Sequence, residues 1–268
     1  MQHAGNRLSK LAVSLLMVLS VFFTSTAALA QHPTEHSCTM PAKIKIVKLA
    51  DHIFYPVITG GVEQPKIQGQ INQTFLDHAR KVQELDKKYK KQYERDRFIS
   101  AAGPYYAQTQ PTIRYNQRCR LSVSFVDESY TGGAHGMHLE TVYNYNLHSG
   151  KRLSLSNIIK NKKERDKVNS YLKKQMTQLK QQGRYDFFLD SFKGVDVKNG
   201  QFYFYDEGIV IVFQEYEVAP YSNGIIHLKV PFREFKTPHA HHHHAGCHEP
   251  GSGGCGSSTV PQHSQPRE

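Results

Sequence analysis

Leu121-Ser122-Val123-Ser124-Phe125 alternates large apolar and small polar residues, the period of a half-buried strand. Thr131-Gly132-Gly133 follows as a turn or bulge, and a second extended run spans about residues 138–147. His148-Ser149-Gly150-Lys151 closes that run with another turn. Two strands so joined predict an antiparallel hairpin in the middle of the chain.

Working outward, two strand candidates at 43–49 and 52–58 precede a long helical pattern. Ile67, Ile71, Phe75, Val82, Leu85, Tyr89 and Tyr93 recur at steps of three, four or seven, which is one helix face. Pro65 suits its first turn, and Gly103-Pro104 marks the end of the region. Downstream of the hairpin, a second helix is predicted over about 162–182, with Asn161 as its cap and Glu164 completing a capping box. Its apolar stripe is Val168, Tyr171, Leu172, Met176 and Leu179. Strand candidates at 202–205 and 209–213 flank Asp206-Glu207-Gly208, a tight-turn sequence. Ile209-Val210-Ile211-Val212-Phe213 has no polar face and predicts a central strand covered on both sides. Ile226, Leu228, Val230 and Phe232 alternate with polar residues, and Pro231 places this last strand near a sheet edge. The order β-β-α-β-β-α-β-β-β predicts an α+β fold: an antiparallel sheet with two main helices packed on one face.

The flanks carry different information. Arg7 and Lys10, the apolar run 11–23 and Ala28-Leu29-Ala30 predict a cleavable signal peptide over residues 1–30, with a retained N-terminal anchor as the alternative. The run is shorter than the ~20 residues of a spanning helix, and no later segment is apolar enough to span. The expected location is therefore secreted or periplasmic. Cleavage removes two basic residues and no acidic one, leaving +9 of the chain's +11 with histidine neutral. That sign favours anionic partners, among which export makes nucleic acid the least suited. Residues 31–42 read as a lead-in, and 237–268 as a disordered tail rich in Pro, Gly, Ser and His. Cys38, Cys119, Cys247 and Cys255 permit disulfides in an oxidising compartment; four cysteines allow three connectivities, and the sequence does not choose among them.

Two stretches crowd hydrogen-bonding groups at strand ends: Tyr130-Thr131-Gly132-Gly133-Ala134-His135-Gly136, and Phe213-Gln214-Glu215-Tyr216-Glu217-Val218-Ala219-Pro220-Tyr221. Together with Tyr143-Asn144-Tyr145-Asn146-Leu147, Ser149-Gly150-Lys151-Arg152-Leu153 and Gly208-Ile209-Val210, they resemble the RsiV C-terminal-like domain. Tyr55-Pro56-Val57 and Ile71-Asn72 resemble the associated PdaC-type N-terminal domain. The resemblance divides the chain into a PdaC-like part at 43–147 and an RsiV-like part at 148–236. It implies two contexts, the outer part of a lysozyme-sensing anti-sigma factor or the partner of a peptidoglycan deacetylase. No sigma-binding segment and no deacetylase domain is visible in this sequence, so neither role transfers whole. Binding to a wall polymer or to a wall-associated protein such as a lysozyme is what carries over. A basic lysozyme is the poorer electrostatic match for a basic chain.

Motif residues Tyr130, Gly132, Gly133, His135, Glu217, Pro220 and Tyr221 are expected to support or shape a ligand surface, with His135 and Glu217 in one cluster. The alternative reading makes Glu217 and His135 the acid and base of an accessory enzyme acting on peptidoglycan. No nucleophile elbow, P-loop, dinucleotide turn or paired-histidine zinc helix is present, which favours a non-catalytic binding or sensing module. His135 and His138 are too few for a metal site, and residues three apart on a strand face opposite ways. Lys162, Lys163, Lys167, Lys173 and Lys174 form a basic helix face suited to an anionic ligand. In the tail, His241, His242, His243, His244, Cys247 and His248 could take Zn²⁺, Ni²⁺ or Cu²⁺ loosely; no cofactor is required elsewhere.

Overall fold

Pro65 opens the longest element, helix α1, because its missing N–H falls where no intrahelical acceptor exists. The computed structural model describes residues 41–98 and 103–236. The predicted signal peptide, most of the lead-in, the tail with its histidines, and Cys38, Cys247 and Cys255 lie outside the described residues.

The first half runs β1 (Lys43–Ala50), β2 (Ile53–Gly60), α1 (Pro65–Asp96), β3 (Tyr106–Gln117), β4 (Arg120–Tyr130), β5 (Met137–Asn146) and the two-residue β6 (Arg152–Leu153). These strands form one sheet in the order β1-β2-β3-β4-β5-β6. All neighbours are antiparallel except β2 and β3, which meet in parallel at Ile53 and Thr109. The second half runs α2 (Leu155–Ile158), α3 (Lys162–Gln181), β7 (Gln201–Tyr205), β8 (Gly208–Phe213), β9 (Ile226–Pro231) and α4 (Phe232–Phe235). Its strands form a separate antiparallel sheet in the order β7-β8-β9.

The α+β class follows the sequence reading, but the strands divide between two sheets and each main helix covers its own. Ile67, Ile71 and Phe75 of α1 pack on Leu121, Val123 and Phe125 of β4 and on Tyr143 and Tyr145 of β5. Phe75 is fully buried among aromatic rings, 5.9 Å from both Phe125 and Tyr143. Val168, Leu172 and Met176 of α3 pack on Phe202, Phe204, Ile211 and Leu228 of the second sheet. Strand β8 is buried at every residue, as expected for a central strand. Gly208 opens it where a Cβ would sit 2.3 Å from the Val230 carbonyl, so only glycine fits.

Three local expectations change. Strand β3 is additional: its Gln, Thr, Asn and Arg content and Pro111 hide it from an alternation search, yet it pairs with β4 along most of its length. Asn161 does cap α3, accepting the Glu164 N–H at 2.9 Å. The Glu164 carboxylate, however, reaches past Asn161 to the Lys160 N–H and to Lys236 Nζ, so the reciprocal half of the capping box is replaced. The serine side of β4 is not a solvent face: Ser122 and Ser124 are fully buried, because the second sheet covers them.

Phe75→Ala should lower stability by about 3–5 kcal/mol, since the cavity among the rings of Phe125, Tyr143 and Tyr145 cannot collapse. Phe98→Ala, at 82% exposure, should change it by less than about 0.5 kcal/mol. Chemical denaturation of both variants checks the contrast.

Candidate functional site

The two sheets meet across polar side chains. Strand β5 has β4 on one side, while only its lower end is paired with β6 on the other, at Asn144 and Tyr145. Above that point its outward N–H groups go to side chains of the second half. The His138 N–H donates to Glu215 Oε2 at 3.1 Å, the Glu140 N–H to Gln214 Oε1 at 2.9 Å, and the Val142 N–H to Gln201 Oε1 at 2.7 Å. Gln214 Nε2 returns a hydrogen bond to the Glu140 carbonyl at 3.0 Å. Asn144 Nδ2 donates to the Phe202 carbonyl, and Ser122 Oγ accepts the Phe204 N–H.

Glu140 is the charged centre of this joint, with its side chain 2% exposed. One oxygen takes Arg114 Nη2 at 2.9 Å and the other His227 Nε2 at 2.8 Å. His227 Nδ1 lies 3.1 Å from the Tyr203 hydroxyl, and Arg114 Nε donates to Ser124 Oγ at 2.8 Å. Burial alone would raise the Glu140 carboxyl, but the His227 hydrogen bond and the charges of His227 and Arg114 hold it below the usual range. Burial pushes the Tyr203 phenol up, which suits a hydrogen-bonding role and not that of a nucleophile.

The two motif stretches come together above this layer. Gly132 and Gly133 both take φ near +97°, which bends the chain back between β4 and β5. Tyr130 steadies the loop by donating its hydroxyl to the Gly133 carbonyl. His135 then stacks on Tyr221, with ring centroids 3.7 Å apart, and Tyr216 lies 5.8 Å from Tyr221. Tyr216 is 52% exposed and holds φ at +63°, a strained conformation for a residue with a Cβ. Pro220 leads into the short 3₁₀ turn Tyr221–Asn223 that presents Tyr221. The carboxylate joined to this cluster is Glu215, whose Oε1 lies 2.7 Å from His138 Nδ1. Glu217 accepts the Gln214 N–H and caps its own turn. Burial raises its carboxyl.

Below the cluster lies a cleft of about 330 Å³ with Asp127, Glu128 and Glu215 in its lining. Tyr106 and Gln108 donate to Glu128, which lowers its carboxyl and pushes the Tyr106 phenol up to about 12. Asp127 is held from behind by buried His78, whose other nitrogen meets the Tyr143 hydroxyl. On the other helix, Lys162, Lys163, Lys167 and Lys174 line an open groove of about 940 Å³ with Tyr171, Asp166 and Glu234. Lys173 is not in its lining. Among the described residues, no three His, Cys, Asp or Glu side chains could share a metal ion, and no helix is long and apolar enough to cross a membrane. Cys119 is the single cysteine among the described residues.

Sequence reasoning missed Arg114, Glu140, His227, His78 and Asp127. Only His78 and Asp127 left a signal, as ionisable residues continuing apolar periodicities: His78 three residues after Phe75, and Asp127 two after Phe125.

Glu140→Gln should cost about 3 kcal/mol, because Arg114 keeps its charge with no buried partner. A carboxyl lowered in the fold contributes stability that is complete above its unfolded value, near about 4.3, and is lost as pH falls through the folded value. Melts between pH 7 and 3 should therefore show a decline in the wild type that is shallower in Glu140→Gln.

Two segments of the chain match known family models. Residues 48–138 match the family model described as "Deacetylase PdaC", and residues 156–233 match "Protein of unknown function (DUF3298)". A crystal structure of a DUF3298 family member from Bacteroides fragilis is 18% identical, covering 74% of this chain and 92% of that one with a TM-score of 0.55. A DUF3298 family protein from Pseudomonas aeruginosa is 16% identical, covering 74% and 94% with a TM-score of 0.48. At 18% identity the likeness to the Bacteroides fragilis structure is one of fold alone. No curated protein matches the chain. The chain therefore carries a segment that matches the PdaC model followed by a segment that matches the DUF3298 model, in that order.

Proposed function

We propose that this protein is a non-catalytic binding module of the cell envelope, exported from the cytoplasm, that holds an anionic wall polymer against α3. The carrying observation is the groove lined by Lys162, Lys163, Lys167 and Lys174 around Tyr171. Lys163, Lys167 and Lys174 recur at steps of four and seven, so their ammonium groups follow one helix face over about 16 Å. Their only acidic neighbours in the groove are Asp166, already paired with Lys162, and Glu234. A row of cations on an open surface suits a flexible polyanion, which exchanges its counterions for fixed charges. It suits a basic lysozyme poorly.

A catalytic reading has less support. His135 is engaged in stacking on Tyr221 and bonds its neighbour's carbonyl, while Glu217 caps a turn. An acid and base serving one reaction need a shared reacting atom within hydrogen-bond reach of both.

Purified wall carrying its anionic polymer should retain the protein at low salt and release it at high salt. The double variant Lys163→Glu/Lys167→Glu should lose about tenfold or more in affinity with an unchanged melting temperature. Equal retention by wall stripped of the polymer, or by the double variant, would refute the proposal.

A further inference from the structure

The cleft between the two halves has a different chemistry from the α3 groove and stands independently of it. Its volume, about 330 Å³, falls within the ~300–1,000 Å³ of small-ligand sites. Val82 and Leu85 of α1 and Met137 and Leu139 of β5 supply apolar walls. Met137 and Leu139 stay about half exposed, at 47% and 52%, so the mouth of the cleft is apolar as well. Asp127, Glu128, Glu215 and His138 are among its lining residues, and none of the described lining residues is a lysine or arginine, in a chain whose net charge is +11. As neighbours on β4, Asp127 and Glu128 point to opposite faces, Asp127 towards α1.

The carboxylates are not equivalent. Glu215 turns both oxygens to His138. Glu128 takes one donor on each oxygen, from Tyr106 and Gln108. Asp127 receives both its donors on Oδ1, His78 Nε2 at 2.9 Å and Thr109 Oγ1 at 2.5 Å. Its Oδ2 accepts nothing from the described residues, and the side chain remains 23% exposed. His78 is itself fixed by the Tyr143 hydroxyl at 3.0 Å and by its ring packed 4.1 Å from Phe125. A buried relay thus clamps one oxygen of Asp127 and leaves the other without a partner among the described residues, the arrangement of a preorganised ligand anchor.

We propose that this cleft binds a primary ammonium group on an apolar stem, with Asp127 Oδ2 as its anchor. An anion would face the Asp127 carboxylate with no lysine or arginine among the described lining residues to offset it. A guanidinium binds best to both oxygens of a carboxylate at once, and Asp127 has one oxygen already saturated. A compact ammonium, with three rotatable donors, needs only the free oxygen, and its alkyl stem can lie along Val82, Leu85 and Leu139. The ammonium could belong to a lysine side chain of a partner polypeptide or to a free alkylamine.

Titration of the isotope-labelled full chain, followed by backbone amide shifts, tests this. The probes are Nα-acetyl-lysine methylamide and its uncharged analogue Nα-acetyl-norleucine methylamide. The lysine probe should shift amides around Asp127 and Leu139 saturably, at least about tenfold more tightly than the norleucine probe. Asp127→Asn should abolish that preference with the norleucine probe unaffected, while Glu128→Gln, on the opposite face of β4, should leave it in place. Poly-lysine binding more tightly than the free probe at the same amides assigns the ammonium to a polypeptide, and equal affinity assigns it to a small amine. Wild-type protein that binds both probes alike, or neither, or that responds to poly-lysine only outside the cleft, overturns the proposal whatever the variants do.

Discussion

Everything in this structure leans on the open edge of β5. A buried strand edge cannot be left without hydrogen-bond partners, because an unmet N–H away from water costs about as much as a lost hydrogen bond. Most sheets meet that demand with another strand. Here the lower end of β5 meets β6, and the upper end meets the side chains of Gln201, Gln214 and Glu215. Side chains make a directional cap: each must arrive from the right height on the second sheet. The register of β7 and β8 against β5 is thereby set, and with it the positions of His138, Glu140 and His227.

The layer between the sheets is accordingly polar where a sheet-on-sheet contact would ordinarily be apolar. Glu140 satisfies Arg114 and His227 at once, and Ser122 serves both Asn144 and the Phe204 backbone. No buried side-chain polar atom among the described residues lacks a partner. Such a fully connected network specifies one arrangement of the two sheets more sharply than interchangeable aliphatic contacts would. The strand-end cluster of His135, Tyr221 and Tyr216 sits on this foundation, which explains how a strained Tyr216 can be held in place.

Much of the architecture was legible because apolar periodicity reports burial directly. The stripe from Ile67 to Tyr93, the unbroken Ile209-Val210-Ile211-Val212-Phe213 and the alternation in β4 each correspond to an observed element. Polar residues carry no such signal. Ser122 and Ser124 alternate as they would on a solvated face, and only the presence of a second sheet distinguishes the two cases. Strand β3 escaped for the same reason: its polar composition disguises pairing that is decided by its neighbours. The site was half legible. The His135 loop and the Tyr221 segment do meet, but the carboxylate that joins them is Glu215, and the alternation of a turn cannot show which of two nearby glutamates faces inward.

Two family models divide this chain, yet the β5 cap crosses their boundary. The donors belong to residues at or just beyond the end of the first match, and Gln201, Gln214 and Glu215 to the second. Neither piece is therefore a freely transplantable cassette. A lineage that exchanged the second for an unrelated module would leave a raw β-edge in search of any extended chain, and self-association would be the immediate hazard. In this chain the two matched segments are thus tied at their seam by backbone-to-side-chain hydrogen bonds, whatever each contributes to binding.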